Sequence, residues 1–284
     1  MIPAAFDYHR PRDMAGVLDI LETYGDDARV LAGGHSLIPM MKLRMAEVPH
    51  LIDLQDVNGL GGIEIGNGTI VIGAMTTQNE IIQSDALAAA APIMRETSLQ
   101  IADPQVRSMG TLGGNVANGD PGNDMPALMQ CLNADFTLVS ASGERTVAAR
   151  DCYEGPYMTK RGDDEVLTAV SFAAPEGGHA YVKQKRKIGD YATAAAAVQI
   201  VREGDACSRA SIAMTNLGDT PILSAGASAA LAGTAVGQQD IHAATTAMLG
   251  DTEPVEDNRG PVDFKRHVAA VILRRAIELA WSRS

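Results

Sequence analysis

Two hydrophobic periods divide the chain. Residues 13–25 (DMAGVLDILETYG) place Met14, Val17, Leu18 and Leu21 on one face of a helix, with Asp13 set to cap it and Gly25 to stop it. ARVL (28–31) predicts a strand, residues 37–45 a short helix and HLIDL (50–54) another strand, a small α/β unit over residues 1–55. Its methionines at 1, 14, 40, 41 and 45 read as core filler. From 61 to 77 apolar and polar residues alternate around Gly66-Asn67-Gly68, a hairpin signature, and Thr77 with Glu80 fits a capping box for the helix that follows. A mostly apolar helix spans 87–101, with Pro92 placed to break or start it. A helix at 124–132, a hairpin over 134–149 and a strand at 165–172 complete a second α/β unit, residues 56–175, on an antiparallel or mixed sheet.

The composition shifts near 176–180, which sets the main boundary between domains 1–175 and 176–284. Strand-like segments at 181–187, 192–201 and 206–215 are linked too briefly for crossover helices, so a three-stranded antiparallel sheet is expected. Helices at 240–249, capped by Asp240, and at 263–283 close the chain. On the latter Phe264, Val268, Val271, Ile272 and Leu279 share one side.

Two stretches fit neither period. Residues 111–128 (TLGGNVANGDPGNDMPAL) are too rich in Gly, Asn and Asp for a core strand and read as a shaped loop. Asn123 or Asp124 can cap the helix it enters, leaving N–H groups of the first turn to face an anion. LAGGHSL (31–37) offers similar chemistry after the first strand. Neither is GxGxxG or a P-loop, and two tight packing turns remain an alternative reading.

The 23 basic and 35 acidic residues give a net charge of -12, which argues against nucleic acid or an anionic membrane as the main partner. Phosphate held here would rest on backbone dipoles rather than a basic field. Cys131, Cys152 and Cys207 are widely spaced without CxxC, so three reduced, buried or partly buried thiols are expected and no metal cluster of the chain's own. With no apolar run of membrane-spanning length and no secretory leader, a cytoplasmic location is expected.

AGGHSL, then TLGGNVANGDPGNDMPALMQCL, then KRKIGDYATAAAAV (185–198) resemble the FAD-binding medium subunits of aerobic carbon monoxide dehydrogenases, in the molybdenum hydroxylase (xanthine dehydrogenase-like) superfamily. The likeness covers nearly the whole chain. It implies the vanillyl-alcohol-oxidase (PCMH-type) FAD-binding fold, α+β, with two α/β subdomains and a C-terminal domain of a three-stranded antiparallel sheet and helices. It also implies cofactor contacts residue by residue. Ala32, Gly33, Gly34, His35, Ser36 and Leu37 correspond to the first pyrophosphate loop; Thr111, Gly114, Asn115, Asn118 and Asp124 to the second, with Asp124 on a ribityl hydroxyl, capping the helix, or both. Ile101 and Ala102 fall on an apolar adenine contact and Leu167 on a flavin contact. Lys185 falls near the flavin ring, where a cation would favour the reduced, anionic form; by charge pattern alone, the cluster Lys183, Lys185, Arg186 and Lys187 reads as a solvated patch. Tyr191 falls over the ring as a gate, strand packing being its competing role. His35 lacks an evident acid or nucleophile partner and reads as a loop or phosphate contact.

The resemblance further implies that the molybdenum cofactor lies in a large subunit and the [2Fe-2S] clusters in a small one. Electrons from CO oxidation would pass through the clusters to FAD, then to a quinone or other acceptor. A dimer of heterotrimers is expected, in the cytoplasm or at the inner face of the membrane through the complex. Another molybdenum hydroxylase substrate (a purine, a nicotinate-type heterocycle or an aromatic thioester) fits the same chain, because the large subunit selects it. A free-standing flavin oxidase would need an acid/base constellation that the six histidines do not suggest, and a non-catalytic nucleotide-binding module would hold no flavin.

Overall fold

The structure is a computed structural model that describes residues 2–284; Met1, the first of the methionines above, lies outside them. The N-terminal unit runs β1 (Asp7–His9), α1 (Met14–Tyr24), β2 (Ala28–Leu31), α2 (Leu37–Lys42) and β3 (His50–Asp53). Its three strands pair in parallel in the order β1-β3-β2. Asp13 caps α1 by accepting from the Gly16 N–H, and Gly25 ends the helix at φ 50°. Strand β1 has no counterpart in the sequence reading, because DYH is too short to show alternation. α2 stops at Lys42, short of the expected 45. Of the methionines, Met41 is buried but Met45 is 71% exposed, so core filling does not hold for the whole set.

The second unit begins with the hairpin β4 (Ile63–Gly66) and β5 (Thr69–Gly73), whose turn residues Asn67 and Gly68 both take positive φ. Helices α3 (Gln78–Gln83), α4 (Asp85–Ala90) and α5 (Pro92–Gln100) follow. Thr77 and Glu80 form the expected capping box on α3. Pro92 starts α5 and splits the apolar stretch in two. Then come α6 (Pro104–Arg107), α7 (Leu112–Ala117) and α8 (Asp124–Cys131), the hairpin β6 (Asp135–Ser140) and β7 (Gly143–Ala148), the small ribbon β8 (Tyr153–Gly155) and β9 (Met158–Thr159), and β10 (Val166–Ala173). The five-stranded sheet is β4-β5-β10-β6-β7, antiparallel throughout.

The glycine-rich stretch is not all loop. Thr111 accepts from the Gly114 N–H and caps α7, and Gly113 sits where a Cβ would stand 2.7 Å from the Ala74 carbonyl oxygen and 2.5 Å from its methyl. Close packing on Ala74, just past the end of β5, rather than loop freedom, is what demands a glycine at 113.

The C-terminal unit holds β11 (Gly178–Gln184), β12 (Ala194–Glu203), β13 (Ala206–Thr215) and β14 (Ile222–Leu223) in one antiparallel sheet, with α9 (Ala225–Leu231), α10 (Gln238–Gly250) and α11 (Val262–Ser282). The expected three-stranded sheet thus gains a two-residue fourth strand, and Lys185 to Lys187 leave the sheet for a turn. Asp240 is the third residue of α10 and accepts from the Gly237 N–H; Gly237, not Asp240, is the cap. On α11 the buried side is Val268, Ala269, Ile272, Leu273, Ala276 and Ile277, while Phe264 is 46% exposed.

The alanine run of β12 explains how the units join. Ala195 and Ala197 pack with the α8 core, whereas Ala194, Ala196 and Val198 pack with α11. Both faces of the sheet are covered, and small side chains let a helix approach each one. Every residue of α8 is buried, including Asp124 at its start and Gln130 near its end, so this helix is the hub between the two large units.

Candidate cofactor site

A cleft of about 410 Å³ opens where the three units meet, within the range of small-molecule sites. All but one of the residues singled out from sequence line it: the run Ala32 to Leu37, Ile101 and Ala102, Thr111, Gly114, Asn115, Asn118 and Asp124, Leu167, and Tyr191. The exception is Lys185.

The first glycine loop lies between β2 and α2. Gly34 takes φ 75°, open to glycine and costly for most other residues. Gly33 has a different reason: a Cβ there would stand 2.2 Å from the Met109 carbonyl oxygen. The missing side chain lets this loop pack onto the segment leading to α7. Gly114 meets the same loop from the other side, its absent Cβ 3.3 Å from the Ala32 methyl. Both glycines therefore join the two loops to each other. Among the described residues, the N–H groups of Gly33, Gly34, His35 and Ser36 find no acceptor in the chain. Ser36 precedes α2 without its hydroxyl capping it. Successive free donors on a cleft wall form an anion-binding concavity that needs no cationic side chain. His35 is exposed and, among the described residues, no side chain hydrogen-bonds to it, which leaves a base without the partners it would require.

The second loop is built differently. Its N–H groups are already engaged: Leu112 donates to the Thr76 carbonyl, Gly113 to Ala74, Gly114 to the Thr111 hydroxyl, Asn115 to the Thr111 carbonyl. The start of α8 is partly occupied, since the Met125 N–H donates to Asn115 Oδ1 and the Asn123 side chain donates to the Asn115 carbonyl rather than capping. Of the expected free first turn the Asp124 N–H remains without an acceptor among the described residues, and this wall offers side chains besides. The Asn118 amide nitrogen has no partner among the described residues, an orphaned donor at a residue that lines the cleft.

Asp124 does not cap α8. Tyr181 donates its hydroxyl to Oδ1 at 2.5 Å, and Lys183 donates its ammonium to Oδ2 at 2.8 Å. Burial, then the adjacent carboxylate, pushes the Tyr181 hydroxyl well above its ordinary pKa. Both partners come from β11, where they share the face turned to α8. Lys183 lines the cleft. Lys185, two residues on, lies past the strand end; its ammonium donates at 3.0 Å to the Gln100 carbonyl, which Lys183 also reaches at 3.2 Å. Burial and the neighbouring Lys183 charge lower the Lys185 pKa. Of the two lysines, Lys183 lines the cleft and Lys185 does not. A strand alternation over 181–184 would have shown Tyr181 and Lys183 facing alike, but not which partner waited opposite.

Ile101 is buried and Ala102 holds a positive φ of 43°, an uncommon conformation for alanine. Arg107 donates to both of their carbonyls, at 2.8 and 3.4 Å, and steadies that turn. Leu167 lies on β10 beside a bulge. Arg29 and Arg161 also face the cleft and escaped the sequence reading, since neither sits in a motif. Arg161 donates at 2.8 Å to the Glu165 carbonyl, and burial lowers its pKa. Tyr191 is 39% exposed, with its hydroxyl pushed up to about 12 by burial and by the nearby Asp120 carboxylate.

Among the described residues no cluster of His, Cys, Asp or Glu is arranged to hold a metal, the three cysteines are buried and free, and no helix is long and apolar enough to cross a membrane.

The FAD binding domain of molybdopterin dehydrogenases matches residues 4–175, and the carbon monoxide dehydrogenase flavoprotein C-terminal domain matches residues 179–280. The chain is 53% identical to the carbon monoxide dehydrogenase medium chain of Afipia carboxidovorans over 100% of its own length and 99% of the relative's. It is 43% identical to that of Hydrogenophaga pseudoflava over the same shares. A crystal structure of the Cu,Mo-CO dehydrogenase in its cyanide-inactivated form superposes with a TM-score of 0.98 at 53% identity, covering 100% of both chains. Relatives at about 31% identity include a caffeine dehydrogenase subunit from Pseudomonas. The chain belongs to the FAD-binding family of the molybdopterin dehydrogenases, with the carbon monoxide dehydrogenase type of C-terminal domain, and FAD is its cofactor.

Proposed function

We propose that this chain is the flavin-bearing medium subunit of a molybdenum-containing carbon monoxide dehydrogenase. The observation that carries the reading is the run of free N–H groups from Gly33 to Ser36 on the wall of the cleft, in a chain that matches carbon monoxide dehydrogenase medium chains end to end. These donors, with the Ser36 hydroxyl, hold the pyrophosphate. Asn115, Asn118 and Thr111 hold the sugar-phosphate side, and Ile101 with Ala102 lies against the adenine. Leu167 flanks the flavin and Tyr191 covers it. Asp124 orients a ribityl hydroxyl with its remaining lone pairs, having given one oxygen to Tyr181 and one to Lys183. Residues 1–175 are on this reading the FAD domain and 176–284 the C-terminal flavoprotein domain.

When bound, the flavin supplies the redox chemistry, taking electrons from the [2Fe-2S] clusters of the small subunit and giving them to a quinone or other acceptor. The chain's own residues bind, orient and shield it. The molybdenum site and the choice of CO belong to the large subunit, and the assembly is a cytoplasmic dimer of heterotrimers.

The test is to produce the chain with its two sister subunits, release the bound flavin by heat, and assay CO-dependent dye reduction. FAD at one per medium chain and CO-dependent turnover are expected. Released FMN, or no flavin, would remove the pyrophosphate reading; a complex with FAD that oxidises a purine or N-heterocycle but not CO would move the chain to another molybdenum hydroxylase.

A further inference from the structure

Tyr191 is held by an arrangement that the cofactor reading does not explain. It follows Gly189 and Asp190 in the turn after β11, and its backbone N–H donates to Asp190 Oδ1 at 2.9 Å. That turn is tied to a second loop, residues 255–260, ahead of α11. Arg186 Nε donates to Asp190 Oδ2 at 2.8 Å, and Arg186 Nη1 donates to the Asn258 carbonyl at 2.7 Å. From the second loop the Arg259 guanidinium carbon lies 5.4 Å from the centroid of the Tyr191 ring. On another side, ring atom Cδ1 stands 3.0 Å from where a Gly122 Cβ would be, so the ring rests on the bare backbone before Asn123. A cation and a glycine flank this half-exposed ring, and the Asp120 carboxylate lies near its hydroxyl.

Arg259 is itself anchored. Its Nη1 donates to Asp257 Oδ2 at 2.8 Å, and its backbone N–H to Asp257 Oδ1 at 2.8 Å. Asp257 Oδ1 also lies 3.0 Å from the ammonium of Lys265. Lys265 is 1% exposed on the first turn of α11, and it donates to the Val255 carbonyl at 2.8 Å. Burying a lysine is costly, and this one holds Val255 and Asp257 of the loop. The chain of contacts runs from the C-terminal helix to an aromatic ring on the cleft wall.

We propose that Arg259 is the positioning residue that holds Tyr191 at the cleft, with Lys265 and Asp257 fixing Arg259 in turn. The inference rests on the reading of Tyr191 as the residue covering the cofactor. Loss of the cation frees the ring to swing away and raises access to the flavin by about two- to fivefold, the factor that a half-exposed cation–π contact represents.

The experiment uses the assembled three-subunit complex loaded with FAD. Arg259→Met keeps the stem without the charge, Arg259→Lys keeps the charge, and Tyr191→Ala and the pair Tyr191→Ala/Arg259→Met complete a cycle. Two quantities are measured: quenching of bound-flavin fluorescence by iodide, and reoxidation of the dithionite-reduced complex by dioxygen. The expected result is a rise of both for Arg259→Met, parent-like values for Arg259→Lys, and no further rise when Arg259→Met is added to Tyr191→Ala. Tyr191→Ala altering access while Arg259→Met does not would overturn the proposal, as would full additivity in the double variant. No change in Tyr191→Ala itself would instead bring down the covering role of Tyr191, and the proposal with it. If Arg259→Met fails to retain FAD, Asp257→Asn, which loosens Arg259 from its anchor, carries the same expectations in direction.

Discussion

The ammonium of Lys183 lies 2.8 Å from the carboxylate of Asp124, and both side chains are shut away from solvent, at 1% and 6% exposure. The pair joins the C-terminal sheet to the first residue of α8, the helix that packs between the two large units. Lys183→Met would leave a buried carboxylate with Tyr181 as its one remaining donor, which costs about 3–5 kcal/mol of stability. Denaturant unfolding of the variant measures this. A loss of FAD with unchanged stability would instead make Lys183 a ligand contact alone.

Lys185→Met is expected to keep FAD bound and to lower the flavin midpoint potential only slightly. Its ammonium is committed to the Gln100 carbonyl outside the cleft wall, and the Coulomb attraction of a cation weakens with distance. Redox titration of the assembled complex decides; a fall as large as a contacting cation would cause puts Lys185 back beside the ring.

Gly33→Ala and Gly114→Ala separate packing from ligand approach. The first drives a methyl against the Met109 carbonyl oxygen at 2.2 Å, so it should cost about 1–3 kcal/mol or more and release FAD by parting the two loops. The second meets the Thr111 hydroxyl at 2.9 Å and the Ala32 methyl at 3.3 Å, and the side chain can turn at the expense of the α7 cap, about 1 kcal/mol. Thermal unfolding with and without added FAD ranks them; equal stability of Gly33→Ala and the parent would refute the packing argument.

Arg145 donates two hydrogen bonds to the Glu165 carboxylate, and this, ahead of the opposing effect of burial, holds its pKa below the ordinary 4.5. A carboxylate with a lowered folded-state pKa adds stability that is fully present above its unfolded value and is lost as pH falls through the folded one. The chain should therefore lose stability on acidification below about pH 4.5, and Glu165→Gln should lie lower near neutrality with a flatter acid limb. Parallel melting curves for parent and variant across the acid range would show that the pair contributes nothing.

Flavin binding is expected to depend on assembly. The chain carries cofactor loops but no metal cluster among its described residues, so electrons arrive across an interface, and docking of the sister subunits would order the cleft. A site partly populated in the free chain binds more weakly by that fraction. The isolated chain should purify largely without FAD and gain it on mixing with the two subunits. Full occupancy of the isolated chain would mean that the loops are preformed.

Much of this protein is legible from local chemistry. The Asp13 cap, the Asn67-Gly68 turn and the Thr77–Glu80 capping box depend on residues within a few positions of one another, and each forms as the residue types dictate. The glycine loops stood out for the same reason, and all but one of the residues implied by the resemblance they carry line the cleft, which Lys183, Arg29 and Arg161 line as well. What the loops do was not local. Which N–H groups stay free depended on the segment after β5, whose Ala74 and Thr76 carbonyls take those of Gly113 and Leu112, while no described segment supplies acceptors to the run from Gly33 to Ser36. Which lysine faces Asp124 depended on the register of β11 over α8, and the choice between Lys183 and Lys185 is a matter of two residues along one strand. The alanines of β12 and the all-round burial of α8 likewise show no period in sequence, because each element is covered on every side by segments far away in the chain. Backbone conformation follows from neighbours in sequence; the sharing of hydrogen-bond donors, and the burial of charge, follow from neighbours in space.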